Sequence, residues 1–180
     1  TLNTEGQSVT FVYVDSTQGW INTMDSTSNE RGNPNIVATG GTITTCGNCK
    51  IHTFTGPGTF TVNTAAICAA NNIVSYMVVA GGGSGGGAGN STGGGTGGGA
   101  GGAGGFREVK SPVTPYTASP LDGYPSAPNR ITITATAYPI TVGGGGAAGS
   151  PTINPGTSGS TSTFSTISSA GGGYGASGGS

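Results

Sequence analysis

The sequence predicts an all-β fold in which antiparallel strands and hairpins join packed polyglycine helices of the polyproline-II type. Three observations carry this. Short runs rich in Val, Ile, Thr, Tyr and Phe alternate with period two, as half-buried strands do. Three strand-like runs, SYMVVA, RITITATAYPITV and STFSTISSA, pass directly into tracts made largely of glycine, at 81–105, 143–149 and 171–179. No stretch has the 3.6-residue apolar period of an amphipathic helix.

The elements follow in order. Residues 8–14, SVTFVYV, put Val9, Phe11 and Tyr13 on one face and Thr10, Val12 and Val14 on the other. DSTQG then supplies turn chemistry, because Asp and Ser bond nearby backbone and Gly accepts positive φ. WINTM returns, so 8–24 reads as a β-hairpin. The polar stretch 25–35 reads as a linker. Strands resume at NIVAT and GTITT, and 50–62 reads as a second hairpin about Gly56, Pro57 and Gly58. Residues 65–70 hold at most one helical turn, ended by Asn71 and Asn72. SYMVVA enters the first glycine tract and FREVK leaves it; a Pro-rich loop covers 111–129. RITITATAYPITV reads as one alternating strand before the second tract, and STFSTISSA as one strand before the third.

Composition bounds the function. Of 180 residues 39 are Gly and only 6% are charged, with a formal net charge of −1. Usual shares are roughly 7% and about 25%. Solubility must then come from Thr, Ser, Asn and exposed backbone, as in secreted and virion surface proteins. Five scattered Lys and Arg make no basic stripe, so a nucleic-acid partner is not expected. No apolar run approaches the ~20 residues of a membrane helix, so membrane insertion is not expected either. The chain opens on Thr1 and ends within a glycine run, which reads as a segment of a longer or processed polypeptide. On that reading 1–33 closes a preceding β-domain and its linker. Residues 34–180 form a glycine-rich β/polyglycine domain, truncated at its C-terminus.

A glycine tract has no side chain to bury against the ~1–2 kcal/mol per residue of backbone ordering. A flexible linker is one outcome. Collagen is excluded: Ser84, Ala88, Thr92, Thr96 and Ala100 recur every fourth residue, without Pro. The remaining ordered form is a three-residue-per-turn helix whose N–H and C=O groups all point outward and need partners. Three tracts in one chain supply them. A straight 81–105 tract would extend ~75 Å at ~3.1 Å per residue, so a reversal is expected, most readily at 90–92.

The ordered set KIHTFTGPGTFTVN, SYMVVAGGGSGGG, GGAGGFREV, YPITVGGGGAAG and STFSTISSAGGGYG resembles the glycine-rich domain of tailed-bacteriophage virion and tail-fibre proteins. It is most similar to those of marine cyanobacterial phages, and covers the chain from about Lys50 onward. The upstream EGQSVTFVYVDSTQGWIN resembles the closing strands of fibre β-repeats. The resemblance implies a structural segment of a virion appendage on the extracellular surface of the particle. Its partners would be other copies of itself, as a trimer, and other virion proteins. A receptor-binding adhesin tip that recognises a host-surface glycan or protein is the alternative. A cellular surface fibril is a third reading. The long loop 111–129, and Cys46 and Cys49, depart from the family pattern.

Few residues suggest chemistry. Cys46, Cys49 and Cys68 are candidates for a disulfide. With His52 they could also be counted as a Cys3His zinc set, but Cys49 and His52 fall on opposite faces of a straight strand. No metal or cofactor is therefore expected. Gly93, Gly95 and Gly98 match a dinucleotide fingerprint only because the tract is so glycine-rich, and no βαβ unit follows. The single histidine and six dispersed acids form no catalytic set, so the chain reads as a non-enzyme. Around the long loop Arg107, Tyr116, Asp122, Tyr124 and Arg130 form a candidate recognition surface, since Tyr supplies rigid contact area and Pro limits ordering entropy. Trp20 reads as a core or interface anchor.

Overall fold

The computed structural model describes residues 9–17, 19–25, 33–88, 97–149 and 154–178. Among these the protein is all-β, with two single 3-10 turns at Ala69–Asn72 and Ala127–Asn129. β1 (Val9–Tyr13) and β2 (Trp20–Asp25) make the expected first hairpin. Its turn is closed by Val14 N–H to Gly19 O (3.0 Å) and Thr17 N–H to Asp15 Oδ1 (2.8 Å). A register shift between Thr10 and Phe11 interrupts the alternation. Phe11, Tyr13 and Trp20 are all exposed, and the Tyr13 and Trp20 rings meet edge-on at 5.4 Å.

The remaining strands are β3 (Val37–Thr39), β4 (Thr42–Cys46), β5 (Cys49–Thr53), β6 (Gly58–Thr64), β7 (Tyr76–Val79), β8 (Phe106–Val109), β9 (Ala137–Thr141), β10 (Ser162–Phe164) and β11 (Ile167–Ser169). A five-stranded antiparallel sheet runs in the order β11-β10-β9-β6-β3. The β7–β8 hairpin packs on its β10–β11 end. Between them lies one apolar core of Ala38, Phe60, Val62, Val78, Ile131, Ile133 and Phe164. Phe164 is its hub, with ring centroids 6.1 Å from Phe60, 5.9 Å from Tyr76 and 6.2 Å from Tyr138.

Three expected elements differ. Residues 50–62 are not a hairpin: β5 pairs with β4, and β6 pairs with β3 and β9. The two-residue Gly47–Asn48 connection, with Gly47 at φ 57°, lets β4 fold straight back on β5. RITITATAYPITV is strand only over β9. Ahead of it Thr136 N–H turns back to Thr134 O (2.8 Å), leaving Ile131 and Ile133 buried in irregular chain. Residues 162–170 make two strands, because Ser165 adopts φ 53° and reverses the chain between Phe164 and Ile167. The small helical turn includes Asn72, whose buried side chain bonds both backbone groups of Ala66 at 2.8 Å.

Candidate recognition surface and the glycine bundle

Each strand of the β7–β8 and β9–β10–β11 layers continues into a glycine-rich run, and five runs lie side by side. They cover 80–88, 97–105, 143–149, 154–160 and 170–178, and are numbered 1 to 5 in chain order. Run 1 gives the amides of Ala80, Gly83 and Gly86 to carbonyls of Gly105, Gly102 and Gly99 in run 2. It gives those of Gly81, Ser84 and Gly87 to Ser160, Thr157 and Asn154 in run 4. Its carbonyls at 82 and 85 accept from Gly146 and Gly149 of run 3, and those at 81, 84 and 87 from Gly172, Gly175 and Gly178 of run 5. Runs 2 and 4 also donate to run 5, and run 4 to run 3. The pairings fit two stacked rows: 3-1-2 above 4-5. Runs 1, 3 and 5 point one way and runs 2 and 4 the other.

Every ladder repeats after three residues. A strand ladder would repeat after two, whereas three is the turn of a polyproline-II-type helix. Close approach explains the glycines. A Cβ at Gly86 would overlap the carbonyl of Ala176, one at Gly98 that of Gly86, and one at Gly159 that of Gly81. At Gly97, Gly144 and Gly173 it would meet nothing within 4 Å. The 81–105 tract thus folds as two antiparallel runs beside those at 143–149 and 171–178. The expected turn at 90–92 lies outside the described residues. Run 4 holds the sequence NPGTSGS, which sequence reasoning left out. Hydroxyls are used inside the bundle at Ser84, whose Oγ donates to Ala147 O and accepts from Thr157 N–H (2.9 Å), and at Thr157, whose Oγ1 donates to Ala147 O (3.1 Å).

At the strand end of the bundle the long loop folds back on β8. Asp122 Oδ1 accepts from the amides of Lys110 (2.9 Å) and Tyr124 (3.0 Å). These two bonds, with the nearby Lys110 charge, hold its carboxyl below the usual value despite some desolvation. Arg130 Nε donates to Tyr124 O (2.7 Å) and its guanidinium stacks 4.2 Å over the Tyr124 ring. Asp122, Tyr124 and Arg130 therefore form one cluster whose polar groups serve loop closure. Tyr116 lies apart, beneath Lys110 Nζ at 5.8 Å. Partial burial, then the Glu108 charge, raises its hydroxyl pKa; burial does the same at Tyr76. Arg107 lines an open groove of about 520 Å³ that borders the Asp122 cluster, with Tyr76, Phe106, Leu121, Gly123 and Asn129.

Sequence reasoning missed Glu108, which is buried and accepts from Ser119 Oγ and Ser119 N–H (3.1 Å). It also missed Val113 and Leu121, which are 71% and 68% exposed on the loop. Of the cysteines, Cys46 and Cys49 face each other across the β4–β5 turn, while Cys68 follows β6. His52 Nδ1 lies 2.8 Å from Gly40 O and its ring packs on Phe60, so it does not join the thiols. Among the described residues no group of three His, Cys, Asp or Glu side chains is placed to hold a metal, and no helix is long and apolar enough to cross a membrane.

A family model described as a glycine-rich domain matches residues 53–180. No curated protein and no solved structure matches the chain.

Proposed function

The chain belongs to the glycine-rich domain family, and from that premise we propose that it is a non-catalytic structural segment of a tailed-phage virion appendage, a tail fibre or similar. The observation that carries this is the five-run bundle, bonded backbone to backbone every third residue. Such a module is stiff, offers a protease few large side chains, and presents a chemically plain surface. Those are the properties a fibre exposed outside cells needs.

Self-association fits the same role. The β1–β2 hairpin is too small to be stable alone, yet exposes Phe11, Tyr13 and Trp20. Further copies of the chain, in a trimer, or other virion proteins would cover them. Immunogold labelling of particles that carry the chain tests the reading. Label along the appendage supports it; label confined to host cells would favour a cellular fibril and overturn it.

A second reading, an adhesin tip that binds a host-surface glycan or protein, is favoured by the exposed Val113, Tyr116 and Leu121 of the long loop. Label restricted to the distal end of the appendage would select it.

A further inference from the structure

We propose that Cys46 and Cys49 form a dithiol site that closes to a disulfide across the tip of the β4–β5 hairpin, leaving Cys68 out. The inference does not depend on the virion reading. The strands join through Gly47 and Asn48 alone, and the register sets Cys46 opposite Cys49. Directly opposed residues of an antiparallel pair share a face, with Cα atoms about 4.5–5.5 Å apart. A disulfide accepts Cα separations of about 4.4–6.8 Å, so closure needs no change of register. Cys46 is exposed and Cys49 half-buried, so a small oxidant reaches both.

Topology separates the third thiol. Gly40, just before β4, packs against the Thr59 carbonyl at the start of β6. Cys68 lies beyond the other end of that strand. His52, the nearest imidazole in sequence, is engaged with Gly40 O and Phe60. The site is therefore a two-sulfur site.

The step balances with a small-molecule disulfide as oxidant. The Cys46 thiolate attacks one sulfur of oxidised glutathione, forms a mixed disulfide and expels one glutathione thiolate. The Cys49 thiolate then attacks the Cys46 sulfur, forms the Cys46–Cys49 bond and expels the second. The protein thiols lose two electrons and two protons; the oxidised glutathione gains both and becomes two reduced molecules. The bridge would staple a two-stranded hairpin that is otherwise marginal by itself and whose Ile43 and Ile51 stay exposed.

The test equilibrates the whole chain, native and as C46S, C49S and C68S, in a series of glutathione redox buffers. Acid quenching, alkylation and peptide mass spectrometry follow. As the buffer becomes more oxidising, the native chain should lose two of its three thiols before Cys68 takes up glutathione. The peptide holding Cys46 and Cys49 should be two hydrogens lighter and unalkylated. C68S should behave alike, while C46S and C49S should form only mixed disulfides. Native Cys46 and Cys49 that remain alkylatable, carry glutathione separately, or bridge to Cys68 would overturn the proposal.

Discussion

β7 and run 1 are one continuous piece of chain, yet different forces hold them. In β7 side chains decide the packing: Val78 is buried in the core while Met77 and Val79 face outward. Two residues later the side chains are gone. Gly81 is buried because a Cβ there would overlap the Gly144 carbonyl, and its amide and carbonyl bond two different neighbours. The strand loses backbone entropy against apolar burial. The run has almost nothing apolar to bury, so its hydrogen bonds and close backbone contacts must offset the same cost. What the pair teaches is that the β core places the runs in register, and the runs then need only the absence of side chains.

If that dependence holds, removing Phe164 should have the largest effect. Phe164→Ala should cost about 3–5 kcal/mol and melt strands and runs together, seen as one transition by calorimetry. Gly86→Val should cost about 3 kcal/mol, the upper end of what overpacking typically costs, but should loosen the runs first. Gly173→Val, where a side chain meets open space, should leave the melting temperature close to native. Equal effects at Gly86 and Gly173 would break the comparison. Ser84→Ala should cost about 1 kcal/mol, because the neighbouring backbone bonds of run 1 remain.

The smallest effect belongs to the loop. The folded Asp122 carboxyl has a lowered pKa, so its stabilisation is present above its unfolded value and is lost as pH falls through the folded one. The amides of Lys110 and Tyr124 should lose exchange protection in acid in the native chain. In Asp122→Asn they should be weakly protected throughout, with the bundle unchanged in both. Protection that is independent of pH in the native chain would contradict this.

Much of this was legible in the sequence. The junctions after Val79, Thr141 and Ser169 showed as strand-like runs entering glycine, and they are where side-chain packing gives way to backbone packing. Run 4 was not, because Asn154, Pro155, Thr157 and Ser158 make it look like a loop. Its signal was the spacing: Gly156 and Gly159, three apart, are the positions that lie against the carbonyls of run 1. The reversal at Ser165 was hidden because a Ser-Thr pair inside an alternating run continues a strand as readily as it turns one. The β4–β5 pairing lost to the more conspicuous Gly56-Pro57-Gly58 turn, since local turn chemistry does not say which strands become neighbours. The loop's recognition residues were found as a group, but Asp122, Tyr124 and Arg130 spend their polar contacts on the loop itself. Exposed Val113 and Leu121 carried no signal apart from their tertiary setting.

Residue-resolved amide hydrogen exchange across 76–88 tests the central claim most directly. β7 pairs with one neighbour only, so its protection should alternate with period two. In run 1 the amides at 80, 81, 83, 84, 86 and 87 donate to neighbouring runs, whereas those at 82 and 85 have no acceptor among the described residues. The predicted result is a switch at Ala80 from every second amide to two of every three. Period-two protection continuing through 88, or uniformly fast exchange from Gly81 onward, would contradict it.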